Sequence, residues 1–274
     1  MRGTRYPSAL VAVLVLLAAV SPAGAGSHDE LYQSQAIVTG QGEVNRVPGF
    51  VECLRQVVVK VTGDPSLLTA PEMEPLLADA GAYVASFRYR DRLEGVPIHD
   101  EQGTHDRPHD LYCVYEPATV DALLARLGRR PWLSQRPRLV VFLGARDARR
   151  AFALAADGTE SPYMAESLLA AVPPLAMPVA LPTAAALGAA RLDFGAIARS
   201  SLENLDPLAR SLGGDQALAG TIVWSEEDRG WVAEWRLGYG GREHRWAIRG
   251  VSFDDAFRYA VRGAARILSG NGEP

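Results

Sequence analysis

Apolar side chains recur with two different periods in the first half of the chain, and the two periods separate strands from helices. Alternation of apolar and polar positions predicts strands, whereas recurrence every three to four positions predicts helices. The TGDP sequence at residues 62–65 is a strong signal for the end of a helix. Strands are predicted at residues 31–39, 83–89 and 111–115, and helices at residues 50–61, 71–80 and 118–127.

The second half begins with a continuous apolar stretch and ends with a strongly amphipathic one. Residues 138–143 (RLVVFL) are apolar after the first position and do not alternate, which is typical of a strand buried on both faces. Residues 252–268 combine an apolar stripe with a capping box of Ser252 and Asp255, so a terminal helix is predicted there. The other predictions are helices at 163–171 and 193–212, the latter interrupted near Asp206-Pro207, and strands at 177–181, 216–224, 231–239 and 242–248.

These elements predict an α+β protein made of two small α/β-type domains. The N-terminal α+β domain, residues 26–130, contains an antiparallel strand pair. Residues 131–137 (PWLSQRP) are predicted to link it to the second domain. The C-terminal α/β domain, residues 138–270, has a mixed sheet that is closed by a three-strand meander and a terminal helix.

The amino terminus has the features of a cleavable signal peptide. Arg2 and Arg5 precede an apolar run at residues 8–20, and Ala23-Gly24-Ala25 supplies the small residues that signal peptidase recognises. The run is shorter than the ~20 residues of a membrane-spanning helix, so an uncleaved anchor is the weaker alternative. We therefore expect residues 1–25 to be removed by cleavage after Ala25, leaving a periplasmic protein with no stable membrane span.

Composition and charge narrow the class of protein further. The 274 residues are 48% hydrophobic and 22% charged, a mixture that is typical of a globular protein rather than a disordered one. The 28 basic and 32 acidic side chains give a net charge of −4. A basic surface of the kind that binds nucleic acid is therefore not expected.

The two cysteines both lie in the part of the chain that survives processing. Cys53 falls on the apolar face of the helix predicted at 50–61, and Cys113 on one face of the strand predicted at 111–115. An oxidising compartment permits a disulfide between them. A pair of free buried thiols is an equal alternative, because cysteine is also a small core residue.

The most suggestive polar stretch is the loop at residues 99–110, which holds three of the five histidines and four carboxylates. Imidazole and carboxylate groups are the ligands that zinc or manganese requires. The simplest alternative is a solvated hairpin excursion, and a recognition loop is a further alternative that is favoured over metal binding. The candidate metal ligands are His99, Asp100, Glu101, His105 and His109.

No catalytic or cofactor-binding motif is complete. Gly40 and Gly42 follow a predicted strand, but Asn45 stands where a dinucleotide fingerprint requires glycine. We therefore predict no catalytic residue and no cofactor. Four tryptophans, at positions 224, 231, 235 and 246, lie in the predicted meander, where packing against the terminal helix is favoured over an exposed binding surface.

Three stretches resemble an exported bacterial family catalogued as domain of unknown function 2066. They are residues 59–65 (VKVTGDP), Trp132 with Arg136-Pro137 before the strand at 138–143, and residues 214–220 (GDQALAG). The resemblance implies a Gram-negative envelope setting and supplies no catalytic residues. The second half also resembles, at fold level, the amino-terminal α/β domain of TolB.

Taken together, these features predict a non-enzymatic, envelope-associated binding or accessory protein with an envelope protein as its partner. The alternative is a metal-dependent hydrolase that uses the loop at residues 99–110. A third hypothesis is a carrier that holds a small ligand between the two domains.

Overall fold

A computed structural model describes residues 28–96 and 106–274. The predicted signal peptide and its cleavage site lie outside the described residues. The helices are α1 (His28–Leu31), α2 (Glu43–Thr62), α3 (Glu74–Ala78), α4 (Pro117–Arg126), α5 (Pro162–Ala170), α6 (Ala184–Ala189), α7 (Phe194–Arg199), α8 (Leu202–Ser211) and α9 (Phe253–Leu268). The strands are β1 (Gln33–Thr39), β2 (Ser86–Asp91), β3 (Pro108–Val114), β4 (Leu139–Arg146), β5 (Ala151–Ala153), β6 (Val179–Ala180), β7 (Gln216–Ser225), β8 (Gly230–Tyr239) and β9 (Arg242–Val251).

The first half is an antiparallel sheet in the order β1-β3-β2 with α2 packed on one face. The predicted antiparallel pair is β2 with β3, and β1 adds a third strand on the opposite side of β3. Along β1 the buried and exposed positions alternate without interruption, which is the pattern of a strand with one face against a core. The sulfur atoms of Cys53 on α2 and Cys113 on β3 lie within disulfide distance of each other.

Two predicted helices of the first half have different bounds in the structure. Helix α2 begins at Glu43 rather than at residue 50. Its first turns carry the exposed side chains of Val44 and Val47 and show no apolar stripe, so apolar periodicity did not indicate them. The predicted helix at 71–80 is divided into short pieces, since prolines interrupt helical hydrogen bonding along this stretch. The pieces are the 3-10 helix Pro71–Met73, helix α3 and the 3-10 helix Ala80–Tyr83, and a separate 3-10 helix, Pro65–Thr69, precedes them.

The second half is a mixed sheet in the order β5-β4-β7-β8-β9, with β6 paired to β4. Strand β4 is parallel to β7, and β7, β8 and β9 form the antiparallel meander. Alternate side chains of β4 and β7 enter two clusters, one beside α9 and the other beneath α7 and α8. Both faces of β4 are therefore covered, as its continuous apolar sequence predicts. The antiparallel sheet of the first half and the mixed sheet of the second half, together with the helices, confirm the α+β class.

The predicted interruption near Asp206-Pro207 is wrong, because the chain breaks at Ser200 and Ser201 instead. The Arg236 guanidinium donates hydrogen bonds to the carbonyl oxygens of Ile197 and Ser200, at 3.0 and 2.8 Å. In a continued helix these two carbonyl oxygens would accept hydrogen bonds from backbone N–H groups of the following turn. They are bonded instead to Arg236 on the distant strand β8, and α7 therefore ends here. Pro207 lies within α8.

The two halves share one continuous cluster of buried apolar side chains. At the end of α2, the carbonyl oxygen of Val61 accepts a hydrogen bond from the Trp132 backbone at 2.8 Å. The Arg136 guanidinium donates to the carbonyl oxygen of Lys60 at 2.5 Å and to that of Leu175. The predicted linker therefore packs into the junction between the halves. Among the described helices, none combines the length and the apolar character needed to cross a bilayer.

Candidate binding groove

The predicted metal loop lies largely outside the described residues, which exclude His99, Asp100, Glu101 and His105. His109 is described and belongs to strand β3, where its side chain is 8% exposed. The strand, rather than a loop, therefore positions this histidine.

Both ring nitrogens of His109 have protein partners. Its Nδ1 lies 2.7 Å from the carbonyl oxygen of Arg107, and its Nε2 lies 3.0 Å from the side-chain nitrogen of Gln41. The neighbouring Asp110 is buried and forms an ion pair with Arg92 at 3.5 Å. Within residues 28–96 and 106–274, no three His, Cys, Asp or Glu side chains come together in a metal-binding arrangement.

The meander tryptophans divide between core and surface. Trp235 is fully buried with its ring centroid 6.4 Å from that of Phe257 on α9, and Trp246 is 7% exposed. The predicted core packing is confirmed for these two. Trp224 is 37% exposed at the end of the sheet and contacts Trp231 edge to face.

The feature that sequence reasoning missed is a groove between the two halves, beside the outer edge of β1. Hydrogen bonds just before and just after β1 fix its orientation: Tyr115 N donates to Tyr32 O at 2.9 Å, and Gly40 N donates to Arg107 O at 2.8 Å. Because bonding residues alternate along an antiparallel pair, even-numbered residues of β1 bond to β3. The backbone groups that point away from the sheet are those of Gln33, Gln35, Ile37 and Thr39.

This edge is open along most of its length. Within the described part of the chain, one hydrogen bond reaches it: Lys60 Nζ donates to the carbonyl oxygen of Gln33 at 2.6 Å. Burial and the nearby charge of Arg136 lower the pKa of the Lys60 amine. The ammonium group therefore closes one end of the edge and leaves the backbone of Gln35 and Ile37 available.

The open edge of β1 differs in charge from the other long edges of the described sheets. Its sequence, QSQAIVT, contains no charged residue. Strand β2 carries Arg88, Arg90 and Asp91, and β9 carries Arg and Glu side chains along its length. Charged residues on an edge strand oppose pairing with another strand, and β1 lacks this protection.

The first compartment of the groove lies beside β1 and has a cavity volume of about 820 Å³. Its floor is one face of α2, with Glu52, Gln56 and Lys60, and its far wall includes Pro173 and Pro174. Ile37 adds a side chain that is 62% exposed on the adjoining sheet face. Backbone hydrogen-bonding groups thus lie next to apolar contact surface.

The groove continues into a second compartment of about 420 Å³. Four residues line both compartments, namely Glu52, Gln56, Ala170 and Pro174. The second compartment has apolar walls that include Val59, Leu68 and Leu175, and α9 contributes Arg258 and Arg262 to it. We use "the groove" for these two compartments together.

Little in the sequence could have revealed the groove. The uncharged sequence of β1 and the adjacent prolines at 173 and 174 are the available signals. Neither shows that β1 lies at an edge, because strand order depends on which strand pairs with β3.

A comparison with protein-family models matches residues 25–133 to a family described as Domain of unknown function (DUF8605). The matched range contains β1, α2 and both cysteines. A search of curated proteins returned no match, and a search of solved structures also returned none.

The family match corrects the resemblance to domain of unknown function 2066, since a different family model matches the chain. No similarity to TolB was found. The stretches that carried the resemblance have local structural roles. Residues 59–65 form the end of α2 and its left-handed glycine cap at Gly63, and residues 214–220 form the entry into β7. Helix ends and strand entries of this kind are shared by unrelated folds.

Proposed function

We propose that this protein is a non-enzymatic binding protein of the bacterial envelope that holds an extended segment of a partner protein along β1. In this mode an incoming strand adds to the sheet edge, backbone hydrogen bonds supply affinity, and neighbouring pockets supply specificity. The partner segment would lie in the groove and bond to the outward backbone groups of Gln35 and Ile37.

The observation that carries the proposal is the open, uncharged edge of β1 within a groove. An exposed edge without charge favours pairing with another chain, and natural proteins usually protect such edges. Here the edge is flanked by α2 and by the proline wall, which leave room beside it for one extended chain.

The envelope setting is supported by the amino-terminal sequence and by the cysteine pair. An apolar run followed by Ala23-Gly24-Ala25 is typical of exported proteins. The proximity of Cys53 and Cys113 suits an oxidising compartment such as the periplasm.

A proline substitution tests the binding mode directly. Gln35→Pro removes an N–H that points out of the sheet, so it preserves the bonds between β1 and β3 while blocking an added strand. Random peptides displayed on phage would be selected on the purified wild-type protein. We expect selected peptides to protect the Gln35 and Ile37 amides from hydrogen exchange and to lose at least tenfold in affinity for Gln35→Pro.

Gln35→Thr is the matched control, because it changes the same side chain and keeps the N–H. It should bind the peptides as the wild-type protein does, and both variants should retain the wild-type melting temperature within a few degrees. Peptides that bind Gln35→Pro with unchanged affinity, or a selection that enriches none, would overturn the proposed function.

A further inference from the structure

The second compartment of the groove contains a cation that no described residue neutralises through direct contact. Arg262 makes no hydrogen bond or ion pair with another residue of the described chain. Glu52 and Asp255 attract it at longer range, and Arg258 opposes them. Partial burial and the charge of Arg258 lower the pKa of the Arg262 guanidinium. The Arg262 side chain is exposed at the wall of this compartment and has no direct partner among the described residues.

The other charged groups of this compartment already have partners. Arg258 forms an ion pair with Asp255 at 2.6 Å. The Asp254 carboxylate accepts a hydrogen bond from the Ser167 hydroxyl. Glu52 accepts a hydrogen bond from the Gln56 amide at 2.8 Å. Although two acidic and two basic side chains line the compartment, Arg262 is the group left available for a ligand.

We infer that Arg262 binds a carboxylate of the extended segment that pairs with β1. This inference rests on the proposed function and adds the chemistry of the partner. Val59 and Leu175 lie beside the arginine and offer an apolar surface for an adjoining side chain. A guanidinium is suited to this task because its planar donors match the two oxygens of a carboxylate.

The carboxylate can come from an acidic side chain or from the carboxyl terminus of the segment. Peptides selected on the wild-type protein are the probes, and two chemical changes separate the sources. One series replaces each Asp or Glu of the peptide with Asn or Gln, and the other caps its carboxyl terminus as an amide. We expect one of the two changes to lower affinity at least tenfold.

Arg262→Gln supplies the protein side of the test. It should lower the affinity of the unmodified peptide at least tenfold and have no further effect on the peptide that lacks the critical carboxylate. Arg210→Gln is the matched control, since Arg210 is exposed on α8 outside the groove. Both variants should keep the wild-type melting temperature within a few degrees.

The outcomes distinguish the two proposals. If selected peptides respond to Gln35→Pro but show no carboxylate dependence and bind Arg262→Gln unchanged, the inference is wrong and strand addition stands. If no peptide responds to Gln35→Pro, strand addition fails and this inference fails with it.

Discussion

At the level of single residues, the carboxylate of Asp64 joins the end of α2 to two arginines. It is fully buried, accepts a hydrogen bond from Arg129 Nε at 2.7 Å and lies 3.9 Å from Arg266 Nε. The Ser66 backbone and hydroxyl also donate to it, at 3.0 and 2.6 Å. Burial by itself would raise the pKa of Asp64, but the hydrogen bonds from Ser66 and Arg129 outweigh burial and hold the pKa below its usual value.

Asp64→Asn is expected to lower the free energy of unfolding at pH 7 by about 2 kcal/mol, because it leaves buried donors without their charged acceptor. A lowered folded-state pKa stabilises the protein above the unfolded pKa of ~4. This contribution is lost as the pH falls through the folded-state pKa. The difference between wild type and variant should therefore shrink below about pH 4 in urea titrations followed by circular dichroism.

Asp79→Asn is the control for this prediction, because Asp79 is exposed and its side chain caps no helix. Its stability should follow the wild-type pH profile closely. A constant difference between wild type and Asp64→Asn from pH 7 to pH 3 would show that the charge of Asp64 is not the stabilising feature.

At the level of elements, the Cys53–Cys113 pair joins α2 to the central strand of the first sheet. The two positions are 60 residues apart, so a disulfide would restrict a long loop of the unfolded chain. For a loop of this length the expected stabilisation is about 4 kcal/mol. The double variant Cys53→Ala, Cys113→Ala should therefore melt well below the wild-type protein under oxidising conditions.

Dithiothreitol provides the internal control. It should lower the melting temperature of the wild-type protein toward that of the double variant and leave the double variant unchanged. Equal melting temperatures of the two oxidised proteins would mean that the cysteines do not form a stabilising bond.

The contact between β7 and β8 depends on a residue without a side chain. A Cβ atom at Gly220 would overlap the indole ring of Trp235, which is itself packed against α9. Overpacking of a rigid core typically costs 1–3 kcal/mol. We expect Gly220→Ala to lower the free energy of unfolding by about 2 kcal/mol, measured by urea denaturation.

Gly188→Ala is the control for this prediction, because a Cβ atom at Gly188 would meet no other atom. Gly188 lies in α6. Alanine favours helix by up to about 1 kcal/mol over glycine, so this variant should be unchanged or slightly more stable. Equal destabilisation by both substitutions would contradict the packing argument.

At the level of the whole molecule, the two halves share a core instead of meeting through a thin interface. Residues of α2 and α9 belong to the same buried cluster, and Asn271 donates to the Thr62 carbonyl oxygen at 2.9 Å. We expect a single cooperative unfolding transition, with equal calorimetric and van't Hoff enthalpies. Two resolved transitions would show that the halves are stable independently.

The sequence predicted most elements but not how they are arranged around the groove. The apolar run of β4, the meander and the capping box of α9 are local patterns, and each was located correctly. The end of α7 was missed because Arg236, which caps it, lies on a distant strand. The predicted loop ligand His109 belongs to β3, where alternation places it on the α2 side of the sheet.

Periodicity, caps and composition are properties of neighbouring residues, so the sequence by itself determined most of the secondary structure, the α+β class and many of the residues that enter the core. Which edge of a sheet remains open is decided by strand order, and strand order depends on contacts between distant residues. The pairing of β1 with β3 placed an uncharged strand at an edge. The packing of α9 and α5 beside α2 then formed the groove next to it. Tertiary structure therefore created the candidate site, because its walls come from segments that are far apart in the chain.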